Sequence, residues 1–171
     1  MPKAAPVHKT TWDLRGMAAT EALAVRVARH AVRGDVIGLS GPLGAGKTTL
    51  ARFFIAALGG TEEVPSPTFS LVQTYPLAGL AVWHFDLYRI QSADDVFELG
   101  IEEALAEGIS LIEWPENMAD HLPDDRLEIS LTWGGAVGSR CARLSGHGGW
   151  GPRLGALGFC ELGLRASNAD V

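Results

Sequence analysis

Val36-Ile37-Gly38-Leu39-Ser40-Gly41-Pro42-Leu43-Gly44-Ala45-Gly46-Lys47-Thr48-Thr49-Leu50 is the stretch that decides the architecture. Val36–Ser40 is a short continuous apolar run, the pattern of a strand buried on both faces. Lys47–Leu58 reads as a helix stopped by Gly59-Gly60. Between the two, Gly41–Thr48 satisfies G-x-x-x-x-G-K-[ST]. Small residues there let the backbone curl until successive N–H groups converge on an anion, and the helix behind adds the positive end of its dipole. In this pattern the Lys47 ammonium reaches the β- and γ-phosphates of a nucleotide and the Thr48 hydroxyl binds magnesium. The candidate phosphate-contacting positions are therefore Gly41, Leu43, Gly44, Ala45, Gly46, Lys47 and Thr48.

Lysine usage supports this reading. Of 14 basic residues only Lys3, Lys9 and Lys47 are lysines, the rest being arginine. Retention of lysine at position 47 points to a site that needs a compact point charge where a planar guanidinium would not fit. The same scarcity bears on the base. Ras-type GTPases read guanine with N-K-x-D, and no lysine follows Lys47 to supply it, so ATP is the expected nucleotide.

The whole chain has 171 residues, 47% of them apolar and 20% charged, as expected of one globular domain with its own core. No apolar run approaches the roughly 18–20 residues that span a bilayer, and Met1–Asp13 lacks the apolar stretch of a secretory signal, so the expected location is cytoplasmic. Cys141 and Cys160 form neither a C-x-x-C pair nor a disulfide framework. The net charge of −6 is unevenly spread: residues 1–60 carry +5, whereas residues 86–128 hold 13 acids against Arg89 and Arg126. Such a segment repels phosphate backbones and is a poor grip for RNA. It fits a solvated helical face first and a docking surface for a basic partner second.

Outward from the loop, Lys9–Leu14 alternates weakly, as an edge strand does. Ala18–Arg33 places Leu23, Val27, Ala31 and Val32 on one helical face with Arg26, Arg29 and Arg33 opposite, and Gly34 ends it. Phe69–Tyr75 and Leu80–Phe85 suggest a hairpin through Pro76–Gly79; Leu127–Trp133 and Arg140–Leu144 suggest another through Gly134-Gly135. Ala93–Glu107 reads as two short helices broken at Gly100, and Ile109–Ile112 as a further buried strand. Strands interleaved with helices predict an α/β fold, and the hairpins make its sheet mixed. The expected domain is 1–144. Residues 145–171, with seven glycines, read as a flexible tail with at most a marginal helix.

A phosphate loop needs a second magnesium-side group, usually an acid at the end of a buried strand. Val82-Trp83-His84-Phe85-Asp86 and Ile109-Ser110-Leu111-Ile112-Glu113 both run into one. Carboxylates on adjacent strand ends can divide the work, one binding metal and the other orienting water, and the sequence leaves that division open. His84 reads as a packed or partly exposed histidine in preference to a catalyst. Ser66-Pro67-Thr68-Phe69 lies where such proteins place a segment that senses the γ-phosphate; Thr68 reaches magnesium or water on one reading and is part of a proline-containing strand entry on the other.

Together, GPLGAGKTTL (Gly41–Leu50), SPTFSLVQTY (Ser66–Tyr75), HFDLYRI (His84–Ile90), ELGIEEAL (Glu98–Leu105) and LIEWPE (Leu111–Glu116) resemble the TsaE (YjeE) family of P-loop ATPases over roughly 12–144. The resemblance implies a P-loop NTPase-like mixed sheet flanked by helices, ATP and Mg2+ as ligands, and a part in threonylcarbamoyladenosine formation in bacterial tRNA. It implies an ATPase of low intrinsic activity that acts with the TsaB–TsaD heterodimer, which transfers the threonylcarbamoyl group to the adenosine beside the anticodon of ANN-decoding tRNAs. Hydrolysis would reset that assembly between turnovers, and tRNA would be touched only through the complex. By matched motif, Lys47, Thr48 and Thr49 would hold the phosphates, Thr48 and Glu113 the magnesium, and Asp86 would be the acid needed for hydrolysis. Thr68 would belong to the switch-like segment, Trp114 would pack at the nucleotide site or a partner face, and Arg140 would approach the nucleotide.

Two other uses of the loop compete. A small-molecule kinase closes an arginine-bearing lid over the phosphates, but the middle third of the chain offers only Arg89 and Arg126. A non-catalytic nucleotide-binding adaptor would tolerate loss of Asp86 or Glu113.

Overall fold

The computed structural model describes residues 8–157. Its elements are β1 (His8–Arg15), α1 (Met17–His30), β2 (Val36–Ser40), α2 (Lys47–Ala57), β3 (Val72–Leu77), β4 (Leu80–Asp86), α3 (Ile101–Glu107), β5 (Gly108–Glu113), β6 (Leu127–Trp133), β7 (Ser139–Gly146) and α4 (Trp150–Ala156), with 3-10 segments at Ala93–Phe97 and Pro115–His121. The strands form one seven-stranded sheet in the order β1-β7-β6-β2-β5-β4-β3. β6, β2, β5 and β4 run parallel to their neighbours in this set. The outer pairings, β1 with β7, β7 with β6, and β3 with β4, are antiparallel. The fold is the expected single α/β domain with a mixed sheet flanked by helices.

Alternation along β2 explains why it is central. Ile37 and Leu39 enter the core shared with α1, α2 and α4, while Val36 enters the core under α3 and the 3-10 segments. A Cβ on Gly38 would come within 3.1 Å of the Pro115 ring, so the bare backbone lets that 3-10 segment lie close.

Three local expectations shift. Helix α1 stops at His30 rather than running to Gly34, because the Asp35 carboxylate accepts the Val32 N–H at 2.7 Å and draws the chain into a turn. Val32 is consequently exposed instead of joining the core stripe. Strand β3 begins at Val72, not Phe69: the Leu71 N–H closes a turn onto the Pro67 carbonyl at 2.7 Å, with Leu71 left-handed at φ 63°. Pro76 lies within β3, an edge strand, where its missing N–H costs little.

The larger correction concerns the expected tail. From Ser145 the chain does not leave the fold: β7 extends to Gly146, and Trp150, Leu154 and Leu157 enter the main core. Their i, i+4, i+7 spacing is helical. Arg153 forks onto Asp35 at 2.7 and 2.8 Å and donates to the His30 carbonyl at 2.9 Å, tying α4 to the end of α1. Gly146 serves close approach here: a Cβ on it would sit 2.7 Å from the Trp150 carbonyl oxygen. The remainder of the expected tail, 158–171, lies outside the described residues. Trp150→Ala should lower unfolding free energy by about 3–5 kcal/mol in urea titration; an unchanged midpoint would mean that α4 is dispensable after all.

Candidate functional site

The period of two in a strand places His84 and Asp86 on the same face of β4 as Val82, and Glu113 on the same face of β5 as Ile109 and Leu111. Val82, Ile109 and Leu111 belong to the core beneath α1 and α2, so the polar residues terminate that face beside the start of α2. The parallel register sets Asp86 opposite Glu113, and Glu113 opposite Leu39 at the end of β2. Two acids and the loop thus meet at the carboxyl edge of the sheet, where open α/β sheets bind ligands.

The loop itself is shaped by left-handed glycines, with φ 136° at Gly41, 77° at Gly44 and 104° at Gly46. A Cβ on Gly41 would fall 2.3 Å from the Leu131 carbonyl oxygen, so only glycine lets the loop run against β6. Lys47 is buried; its Nζ donates to the carbonyls of Gly41 at 2.7 Å and Pro42 at 3.0 Å and lies 4.2 Å from the centre of the Trp114 ring. Burial pulls the Lys47 pKa below its ordinary value, against the opposing charges of Glu113, Asp86 and Glu116.

Glu113 Oε1 receives two hydrogen bonds, from Thr48 Oγ1 at 2.8 Å and from His84 Nε2 at 2.8 Å. Asp86 is held differently. Its Oδ2 accepts from Thr68 Oγ1 at 3.2 Å and, at the limit of reach, from Ser66 Oγ at 3.5 Å; its Oδ1 accepts the Tyr88 N–H at 3.1 Å. These groups surround a cavity of about 400 Å³. Lys47, Thr48, Thr49, Thr68, Asp86 and Glu113 line it, with Leu43, Gly44 and Gly46 from the loop.

A hydroxyl and a carboxylate 2.8 Å apart are hard oxygen donors and suit magnesium. Among the described residues no group of three or more His, Cys, Asp or Glu is assembled to hold a metal. A cation beside Thr48 and Glu113 would therefore complete its shell with phosphate oxygens and water, as magnesium commonly does. The first N–H groups of α2, which the helix cannot satisfy internally, offer an anion its partners.

Several expected site residues serve as supports. Gly41 lies against β6, and Ala45 is buried in the core. Arg140 sits behind the loop, its Nε donating to the Ala45 carbonyl at 3.2 Å and its guanidinium stacked 4.2 Å from the centre of the Trp133 ring. There it borders a separate cleft of about 170 Å³ that also touches Gly44, Gly46 and Thr49. Ser66, from the proposed γ-phosphate-sensing segment, and Arg89, one of the two middle-third arginines, also line the main cavity, as does Tyr88. Trp114, expected at the nucleotide site or a partner face, lines this cavity, left-handed at φ 58° and packed on Tyr88 at 4.9 Å between ring centres. His84, two positions before Asp86 on the same face, is packed as expected, fully buried, and it is bonded to Glu113.

A buried parallel strand, a glycine-rich loop, a helix N-terminus and acids on neighbouring strand ends define the P-loop class of α/β protein. Within that class, the chain belongs to the TsaE family. The sequence profile described as "Threonylcarbamoyl adenosine biosynthesis protein TsaE" matches residues 14–140. The tRNA threonylcarbamoyladenosine biosynthesis protein TsaE of Bacillus subtilis (strain 168) is 38% identical over 142 residues, covering 75% of this chain and 89% of the relative. Its counterpart in Treponema pallidum (strain Nichols) is 40% identical over 106 residues, 61% of this chain and 78% of the relative. The crystal structure of Bacillus subtilis YdiB superposes with a TM-score of 0.75 at 30% identity, over 90% of this chain and 97% of that one. Among the described residues no helix is long and apolar enough to cross a membrane.

The lowered Lys47 pKa has a stability consequence. Folded chain binds fewer protons at Lys47 than unfolded chain between the lowered value and the ordinary 10.5, so stability rises with pH across that window. Lys47→Met, which removes the buried charge, should unfold at an equal or higher denaturant midpoint at neutral pH, with the difference closing as pH climbs toward 10.5. A variant clearly less stable at neutral pH would show that the contacts of Lys47 outweigh its desolvation.

Proposed function

We propose that this chain binds ATP with magnesium in the loop cavity and hydrolyses it as an accessory to threonylcarbamoyladenosine formation in tRNA, working in the cytoplasm with the TsaB–TsaD pair. The observation that carries the reading is the convergence of Lys47, the Thr48–Glu113 pair and Asp86 on one cavity of about 400 Å³ at the loop. The assignment to tRNA modification follows the family and its named relatives.

The roles divide as follows. Backbone N–H groups from Gly44 to Thr49 cradle the phosphates, and Lys47 gives up its carbonyl partners on Gly41 and Pro42 to meet them. Thr48 and Glu113 would hold magnesium, which when bound would supply positive charge beside the phosphates. Asp86, with Thr68 on its Oδ2, orients the attacking water and takes its proton. Leu43, Tyr88 and Phe69 stand exposed near this site, Phe69 at 89%, which leaves apolar surface for a protein to cover. The acidic 86–128 segment favours a protein partner over direct tRNA contact.

Asp86→Asn and Glu113→Gln should each cut turnover about 100-fold or more while a non-hydrolysable ATP analogue still binds. Turnover should rise on adding the TsaB–TsaD pair, and depletion of the chain should lower threonylcarbamoyladenosine in tRNA. Fast hydrolysis indifferent to the pair, or phosphoryl transfer to a nucleoside or metabolite, would defeat the proposal.

A further inference from the structure

His84 lies on β4 opposite Leu111 of β5 and shares its face with Val82, a setting in which an aliphatic side chain would pack as well. It is fully buried, and among the described residues its Nδ1 has no hydrogen-bond partner. A buried imidazole with one nitrogen unsatisfied weakens the fold relative to an apolar side chain of the same size. Its other nitrogen makes a single bond, at 2.8 Å, to Glu113 Oε1. Because an ionised carboxylate only accepts, Nε2 carries the proton and donates it.

That one bond has a geometric effect. Carboxylates rotate freely about their last torsion, so a strand-end glutamate presents its oxygens in a broad range of orientations. Oε1 of Glu113 is gripped from two elements at once, by Thr48 at the start of α2 and by His84 from within β4. When Thr48 turns its hydroxyl oxygen toward a cation, His84 is the donor whose hold on Glu113 comes from the rigid interior of the sheet. Partners of this kind orient metal ligands and tune their affinity.

Resting on the ATP–magnesium reading above, we propose that His84 is a positioning residue for the divalent cation: its Nε2–H fixes the Glu113 carboxylate in the orientation that the cation beside Thr48 requires. It touches neither nucleotide nor metal and acts only through Glu113.

The test uses the full chain with His84→Gln, whose amide N–H can reach the position of Nε2, and His84→Met, of similar shape but with no donor. Mn2+ binding in the presence of a non-hydrolysable ATP analogue is read by electron paramagnetic resonance, and analogue binding alone is read in EDTA. His84→Met should weaken Mn2+ about tenfold or more and leave metal-free analogue affinity within about twofold, while His84→Gln restores most of the loss. In a Glu113→Gln background, His84→Met should cost little further Mn2+ affinity, since the two residues act as one unit. Unchanged Mn2+ affinity in His84→Met, equal losses in Gln and Met, or full additivity with Glu113→Gln would overturn the positioning role alone. A wild-type chain that binds no analogue under either condition would overturn the nucleotide reading itself.

Discussion

Parallel pairing of β2 on both of its edges is the constraint from which the site follows. A strand flanked by parallel neighbours cannot turn back by a hairpin, so the chain must leave at its carboxyl end and return over the sheet. Here it leaves through Gly41–Gly46 and returns as α2, whose buried face of Leu50, Ala51, Phe54 and Ile55 seals the core. The same parallel sense brings the ends of β4 and β5 to that edge, with Asp86 and Glu113 in register. Close approach completes the arrangement: Gly41 runs so near the Leu131 carbonyl that the loop is braced by β6, with Arg140 behind it.

Much of this was legible because each signal was local. The apolar run before the loop, the glycine pattern within it and the helical residues after it occupy 15 consecutive positions, Val36–Leu50. Asp86 and Glu113 could be picked out because each ends a run of strand-forming residues, and strand ends in an α/β sheet are where ligands bind. Parallel order and register were not legible, since nothing in either strand alone says that Asp86 faces Glu113.

What the sequence leaves unread shares a cause. Seven glycines from Ser145 onward lower the average propensity of that segment, and composition outweighed the i, i+4, i+7 placement of Trp150, Leu154 and Leu157. Among the described ones, Gly146 makes room for Trp150 and Gly148 for Asp125. His84 is packed as expected, and its bond to Glu113 is invisible in the sequence because that partner lies 29 positions away on another strand. Arg140 likewise makes contacts that no local pattern announces, with the carbonyl of Ala45 in the loop and the face of Trp133. In each case the deciding term was tertiary, a contact between segments distant in sequence.

The site also concentrates features that weaken a fold. Lys47, His84, Asp86 and Glu113 are all buried, and Leu71 and Trp114 hold left-handed backbone that non-glycine residues rarely adopt. These costs fall within one edge of the sheet, where Leu71 accepts the Asp86 N–H at 2.9 Å and Trp114 covers Lys47. Leu71 and Trp114 thus help fix the acids and the lysine in place, and the apolar cores on both faces of the sheet supply the stability that this tolerates. A chain selected for stability alone would fill positions 47 and 84 with apolar side chains and relax 71 and 114. Their presence together, touching one cavity or its immediate supports, is an argument for function that depends on no single motif.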